Sequence, residues 1–176
     1  TIKLVNNDDT RVFLENSHIQ GNCNSSINIG LYYNDELVSL MTFGKSRMIT
    51  NSVDKYEYEL LRFCNKLYTN VRGGASKLWK YFLLNYNPQS VISYANLDIS
   101  DGGLYNTLGF KYICHTDINY WWVKGKKRYH RSNFMKHKLV EQGFDKNLSE
   151  NDIMHLRGFS KIWGLGNLKY EWHNEN

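Results

Sequence analysis

Apolar and polar residues alternate along several short stretches of this chain, as expected for strands that bury one face. Residues 27–33 and 37–43 are two such stretches, and the turn residues Asn34 and Asp35 between them predict a β-hairpin. The longer apolar spacing in 7–17 and 75–86 favours helices. We expect strands at 2–5, 27–33, 37–43, 58–67, 90–95, 110–115 and 120–123, and helices at 7–17, 75–86 and 101–108.

The order of these elements predicts the fold class. Antiparallel hairpins come first, and a strand–helix–strand crossover follows at 58–95. We therefore expect an α+β fold with a mixed, mostly antiparallel sheet flanked by helices. At 176 residues, the chain is long enough to bury a substantial core.

The composition changes after residue 123. Helices are expected from Ser132 to about Gln142 and over 149–158, and the glycines between 161 and 172 predict a hairpin. We expect two parts, a core at 1–123 and a basic helical and β-hairpin extension at 124–176 that packs on it.

Positive charge is concentrated in that extension. The chain carries 22 Lys and Arg against 17 Asp and Glu, and residues 124–138 hold seven cations and no acid. Such a stretch is typical of a nucleic-acid interface, although a solvated loop and helix would have the same composition. The predicted nucleic-acid-binding residues are Lys124, Lys126, Lys127, Arg128, Tyr129, His130, Arg131 and Lys136.

Other classes of function are disfavoured by the sequence. No apolar run approaches the roughly 20 residues needed to cross a bilayer, so no membrane partner is expected. Cys23, Cys64 and Cys114 lie far apart and lack the spacing of a zinc site, so no metal is expected.

A glycine-containing loop precedes helix 75–86. Backbone N–H groups at a helix start can bind a phosphate, although a Gly-Gly pair also forms ordinary turns. The anion-binding loop is predicted to comprise Asn70, Val71, Arg72, Gly73, Gly74, Ala75 and Ser76.

This loop, the helix, strand 90–95 and the sequence Tyr105-Asn106-Thr107-Leu108-Gly109-Phe110 follow one another in an order that resembles the GCN5-related N-acetyltransferases (GNAT). The resemblance implies that the loop cradles the pyrophosphate of acetyl-CoA or a related acyl-CoA. Gly73 and Ala75 match the family's loop, whereas Asn70 stands where a Gln or Arg is usual. Tyr105 matches the tyrosine that protonates the CoA sulfur in many members.

Three side chains are candidates for catalysis. His18 follows the first helix, one turn after Glu15, and is predicted to act as a base or to contact a nucleobase, or else to stabilise the helix end. Arg62 interrupts an apolar strand and needs a partner or a ligand unless it lies on an open face. Tyr105 is either the proton donor or a packing residue. Asp98 and Asp101 follow strand 90–95, and helix capping is the preferred role for Asp101.

A narrower resemblance involves residues 13–21, 30–32, 37–44, 59–64 and 128–131, which look like a bacteriophage GNAT-like module. It is similar to the Mom-type DNA-modification proteins and to the accessory domain of phage homing endonucleases. This implies either acyltransferase-like modification of a DNA base or non-catalytic DNA binding beside a nuclease domain in the same or a partner chain. Acetylation of a protein or a small molecule is a third option, because a fold alone does not fix the function. It also implies the cytoplasm of an infected bacterial host. Whether the chain is an enzyme stays open at this point.

Overall fold

A computed structural model describes residues 1–45 and 56–175. Most strands and helices predicted from the sequence are present, with shifts of a few residues at their ends. The single helix expected from Ser132 to about Gln142 is instead a 3-10 helix and a short α-helix, because Met135 between them has an extended backbone, and the strand at 127–130 was not predicted. In chain order the elements are β1 (Ile2–Leu4), α1 (Asn7–Ser17), β2 (Ile27–Tyr33), β3 (Glu36–Lys45), β4 (Tyr58–Asn65), α2 (Gly74–Tyr86), β5 (Ser90–Asn96), α3 (Gly103–Thr107), β6 (Lys111–His115), β7 (Tyr120–Lys124), β8 (Lys127–His130), a 3-10 helix (Arg131–Phe134), α4 (Lys136–Glu141), α5 (Glu150–Leu156), β9 (Ser160–Trp163) and β10 (Asn167–His173).

The chain forms two compact units. Unit 1 comprises Thr1–Ala95, Ser100–Cys114 and Leu168–Asn176, and unit 2 comprises Asn96–Ile99 and His115–Asn167. The division therefore differs from the expected one at residue 124. Unit 2 begins earlier, and the last strand of the chain returns to unit 1.

Unit 1 is built on a seven-stranded sheet in the order β1-β2-β3-β4-β5-β10-β6. The first four strands pair antiparallel, and β4 pairs parallel to β5 because α2 carries the chain back between them. The predicted α+β class, with a mixed and mostly antiparallel sheet flanked by helices, is confirmed.

The core of unit 1 lies between this sheet and α2. Leu78, Trp79 and Phe82 on α2 are buried, and Phe82 stacks on Phe43 of β3 at 3.7 Å between ring centroids. A smaller cluster under α1 contains Val5, Leu14 and Leu40. Burial of aromatic and aliphatic side chains on both faces stabilises the sheet.

Unit 2 has a separate three-stranded sheet in the order β8-β7-β9. Here two sequence predictions are wrong. Residues 120–123 do not belong to the large sheet, and 161–172 is not a hairpin, because β9 and β10 lie in different sheets. The alternating pattern identified the strands correctly, but it carries no information on their partners. Trp122 instead packs in a core with Leu139, Ile153, Met154 and Phe159.

In the described ranges 1–45 and 56–175, no helix is long and apolar enough to cross a membrane. The same ranges contain no group of three or more His, Cys, Asp or Glu side chains arranged to hold a metal ion.

Candidate functional site

Two neighbouring strands of unit 1 separate near the middle of the sheet. β4 and β5 pair at Tyr58–Val91, Glu59–Ile92 and Leu60–Ser93, and their described residues form no further pair. Immediately after the last pair, β4 contains a β-bulge, since Phe43 lies opposite Leu60 whereas Thr42 lies opposite Arg62. The bulge bends β4 and leaves an opening between its second half and β5.

Tyr105 of α3 places its hydroxyl at the point of separation. It lies 2.9 Å from Ser93 Oγ and 3.3 Å from the Tyr94 carbonyl oxygen, and Ser93 Oγ also lies 2.7 Å from the Leu60 carbonyl oxygen. The Tyr105 ring stacks on Tyr170 at 4.7 Å between centroids. Contacts on both sides fix the hydroxyl in one position.

The pKa of Tyr105 is raised, chiefly by burial, and the hydrogen bond with Ser93 and the charge of Arg62 only partly oppose this. A phenol with a raised pKa keeps its proton at neutral pH. The side chain is therefore in the protonation state that a proton donor needs.

Arg62 of β4 acts on both other candidate catalytic residues. Its guanidinium Nη1 donates to the Leu61 carbonyl oxygen at 2.8 Å, and Nε donates to the Gly21 carbonyl oxygen at 3.4 Å. Within residues 1–45 and 56–175 it forms no salt bridge with a carboxylate. Its positive charge adds to burial in lowering the pKa of His18. For Tyr105 the same charge only partly offsets the burial that raises the pKa. Arg62 was predicted to need a partner, and its partners are the backbone carbonyl oxygens of Leu61 and Gly21.

His18 lies directly after α1. Burial, followed by the charge of Arg62, lowers the pKa of its imidazole to about 4. Its Nδ1 accepts a hydrogen bond from the Gln20 backbone N–H at 3.0 Å. The ring is therefore neutral at pH 7 with its hydrogen on Nε2, which suits a hydrogen-bond donor better than a proton acceptor.

The predicted anion-binding loop has the expected local geometry. Gly73 adopts a left-handed conformation, with φ of 68°, as the N-cap of α2. The Lys77 N–H donates a hydrogen bond to the Gly73 carbonyl oxygen, and the Gly74 N–H donates one to the Val71 carbonyl oxygen. No acceptor for the N–H groups of Ala75 and Ser76 is found among the residues that the structure describes.

Charge around this loop is favourable for an anion. The first turn of α2 has no acidic residue. Arg72 and Lys77 line a cavity of about 540 Å³, whose wall also contains Asn70 and Glu36, and the Glu36 carboxylate forms a salt bridge with Lys66. The residues present therefore fit a phosphate-containing ligand: two unpaired amides, the positive end of a thirteen-residue helix and two cations.

The basic residues lie in unit 2, from the end of β7 to the start of α4. Six cations of this surface are exposed: Lys124, Lys126, Lys127, Arg128, Arg131 and Lys136. Lys124 also donates to the Arg157 carbonyl oxygen at 2.7 Å. The predicted contact of Tyr129 with nucleic acid is not supported by its position, because its ring packs inward against Phe134 and Phe159.

Two carboxylates at the end of β5 have structural partners. Asp98 Oδ1 accepts from Leu165 N–H at 2.9 Å, and Asp101 Oδ1 accepts from Gly103 N–H at 3.0 Å. Asp101 thus assists the start of α3, although Gly102 is the N-cap residue.

Two residues near Tyr105 were not predicted from the sequence: Ser93, which fixes the Tyr105 hydroxyl, and Glu59, whose charge adds to burial in raising the pKa of Tyr94 and Tyr105. Trp121 on the small sheet was not predicted either. A serine inside the apolar run 90–95 was the available signal for Ser93, because a buried hydroxyl needs a partner.

Comparison with known proteins identifies the fold. No protein-family model matches the chain, and no curated protein sequence matches it. Solved structures do match: an acetyltransferase of Bacillus subtilis in complex with CoA (TM-score 0.52, 14% identity, 98% of this chain and 97% of that chain) and an N-acetyltransferase of Staphylococcus aureus (0.55, 12%, 98% and 97%). An IAA acetyltransferase of Bacillus cereus also matches (0.51, 10%, 99% and 99%). The chain therefore has the GNAT fold.

Proposed function

We propose that this chain binds an acyl-CoA in unit 1 and transfers the acyl group to a base of DNA. The observation that carries the first half is the Tyr105 hydroxyl, which Ser93 fixes where β4 and β5 separate. The amides at the start of α2 and the cations Arg72 and Lys77 support pyrophosphate binding on the same unit. The CoA bound to the similar Bacillus subtilis structure is a further argument for this ligand.

In the proposed reaction, the chain's own residues protonate the leaving group and stabilise the charge that this leaves behind. Bound acyl-CoA would supply a thioester carbonyl carbon for attack by an amino group. As the carbon–sulfur bond breaks, Tyr105 donates its proton to the departing sulfur. The proton lost by the attacking amine passes to solvent. The positive charge of Arg62 stabilises the phenolate that Tyr105 leaves behind.

The nucleic-acid half of the proposal rests on unit 2. Six exposed cations of this unit lie in a sequence of 15 residues, 124–138, that contains no acid. Neutralising phosphates with such residues releases counterions and supplies affinity without sequence specificity. An exocyclic amino group must leave the base stack to react, so the base would be presented unstacked.

A second candidate function is non-catalytic DNA binding beside a nuclease domain. The observation that favours it is His18, whose lowered pKa and occupied Nδ1 make it a poor base. The chain would then keep the basic surface of unit 2 and have no acyl donor.

The two functions are separated by measuring CoA affinity calorimetrically and transfer of label from acetyl-CoA to DNA. Gly73→Glu places a carboxylate at the proposed pyrophosphate-binding loop and should abolish CoA binding. Gly73→Asn is the matched control, because Asn tolerates a left-handed backbone and no atom lies within 4 Å of the new Cβ. CoA binding by the Glu variant would overturn the pyrophosphate assignment. DNA binding without CoA binding would favour the second candidate.

A further inference from the structure

The small sheet of unit 2 has one face that packs on a core and one that does not. Trp122 of β7 and its partner Tyr129 of β8 point into the core of unit 2. Side chains alternate along a strand, so Trp121 lies on the opposite, outward face. Its partners in register there are His130 of β8 and Ile162 of β9.

Trp121 is held in a fixed orientation on this outward face. The Arg128 guanidinium lies over its ring at 4.3 Å from the centroid. The His130 ring meets it edge-on, at 5.0 Å and 82°. Ile162 is 51% exposed beside it. A planar cation stacked on an indole, with an exposed aliphatic side chain in the neighbouring strand position, thus forms one surface, which we call the Trp121 platform.

The charge around the Trp121 platform indicates what it can bind. Residues 120–124, 127–130 and 160–163, which form the three strands, include no Asp or Glu. Arg128 itself and Lys126, in the turn before β8, supply positive charge, whereas Lys127 and Arg131 belong to the face that carries Trp122, since Lys127 is in register with Lys124 and Arg131 lies over the Tyr120 ring. An aromatic surface bordered by cations complements a ligand that has both flat faces and negative charge.

We propose that the Trp121 platform stacks an unpaired base of a single-stranded nucleic acid, with Lys126 of the adjoining turn on its phosphates. This inference rests on the proposed function, which makes a nucleic acid the acyl acceptor. It adds that the nucleic acid is bound as an unpaired single strand. A paired base inside a duplex presents only its edges, so a stacking surface selects against it.

The test uses the full chain and labelled oligonucleotides of about 12 nucleotides, a length within the range of known single-strand sites. Binding of oligo-dT, oligo-rU and a duplex of equal length is followed by anisotropy at several salt concentrations. Trp121→Leu keeps an apolar side chain but removes the aromatic face, and Arg128→Lys keeps the charge but removes the planar group. Trp163→Leu is the matched control, since Trp163 is 58% exposed and its partner Tyr120 lies on the other face of β7.

Trp121→Leu should weaken single-strand binding roughly tenfold or more, the range of a lost base–aromatic stack, with an unchanged salt dependence. Arg128→Lys should weaken it less, and Trp163→Leu should bind like the wild type. Tryptophan fluorescence of the wild type should be quenched by oligo-dT, a readout that stays valid if a variant fails to fold.

Wild-type affinity in folded Trp121→Leu, or no quenching, would overturn the platform. A wild type that binds duplex and not single strands would also overturn it, while DNA as the acceptor would stand. If the wild type binds neither form, both nucleic-acid proposals fail, and CoA affinity still tests the donor half separately. Preference between oligo-dT and oligo-rU would identify the kind of strand.

Discussion

At the scale of single residues, Arg62 is the side chain whose charge acts on both of the other candidate catalytic groups. It lies after a β-bulge and donates to the carbonyl oxygen of Gly21 in the loop after α1. Burial and, second to it, the Arg62 charge lower the pKa of His18 and keep the imidazole neutral, while the same charge partly offsets the burial that raises the pKa of Tyr105. The two effects can be tested separately.

Tyr105→Phe removes the proposed proton donor. The rate of acyl transfer should fall roughly 10²-fold, the usual effect of a general acid, while acetyl-CoA affinity changes little. Steady-state rates and calorimetry measure the two quantities. Ser93→Ala is the control, because it removes the hydrogen-bond partner and keeps the Tyr105 hydroxyl. Equal losses in both variants would indicate a structural role for Tyr105.

His18→Gln tests the lowered pKa of the imidazole. The unfolded chain binds a proton near pH 6.5 and the folded chain only near pH 4, so His18 makes stability fall as the pH drops through that interval. The free energy of unfolding of the wild type should therefore fall relative to that of the variant, by on the order of 1 kcal/mol after solvent screening of a half-buried ring. Urea titrations between pH 4 and pH 7.5 measure it. A constant difference over that range would contradict the assignment.

At the scale of elements, the opening between β4 and β5 depends on how α3 is attached. Gly102, the N-cap of α3, has φ of 81°, and a Cβ there would lie 2.2 Å from the Tyr170 hydroxyl oxygen of β10. Tyr170 in turn stacks on Tyr105. The close approach of the Gly102 backbone to β10 thus sets the position of the candidate proton donor.

Gly102→Ala should therefore lower the free energy of unfolding by more than the cost of holding an alanine in a left-handed backbone conformation, because the new Cβ also meets Tyr170. Gly109→Ala is a closely matched control, since Gly109 also has φ of 81° and no atom lies within 4 Å of the new Cβ. The control should cost about 1–2 kcal/mol, and Gly102→Ala a further 1–3 kcal/mol from overpacking. Thermal and urea unfolding measure both. Equal destabilisation would show that Tyr170 moves aside freely.

At the scale of the whole molecule, most of unit 2 is inserted in the sequence between two strands that are neighbours in the large sheet. Strands β6 and β10 lie side by side, yet residues 116–166 separate them in sequence. The glycine loop and Tyr105 belong to unit 1, and the basic stretch 124–138 belongs to unit 2. The proposed acyl-CoA site and the proposed nucleic-acid surface are therefore carried by separate compact units.

Replacing Lys126, Lys127, Arg128 and Arg131 with Ala should weaken DNA binding and leave CoA affinity unchanged. Because each phosphate contact contributes about 0.9 to the salt dependence with duplex DNA, losing four should reduce the slope by about 3.6. Anisotropy at several salt concentrations measures this. Replacing Lys3, Lys80, Lys111 and Lys146 with Ala removes the same charge elsewhere. An equal effect of the two sets would show that only net charge matters.

The sequence by itself determined most of the elements and the local chemistry of the glycine loop. Alternation in 27–43 identified the hairpin, and Gly73 and Gly74 identified the start of α2, because both signals come from near neighbours in the chain. The cluster of cations in 124–138 is also a property of composition alone.

Only the tertiary structure decided which strands are partners and which side chains meet. β9 and β10 are adjacent in sequence but belong to different sheets, and Ser93, Leu60 and Tyr105 come together only because α2 and α3 return the chain to the same place. Inward packing of Tyr129 and outward placement of Trp121 depend on which face of the small sheet meets α4 and α5. Periodicity fixes which residues share a face, whereas burial against distant residues fixes which face is covered.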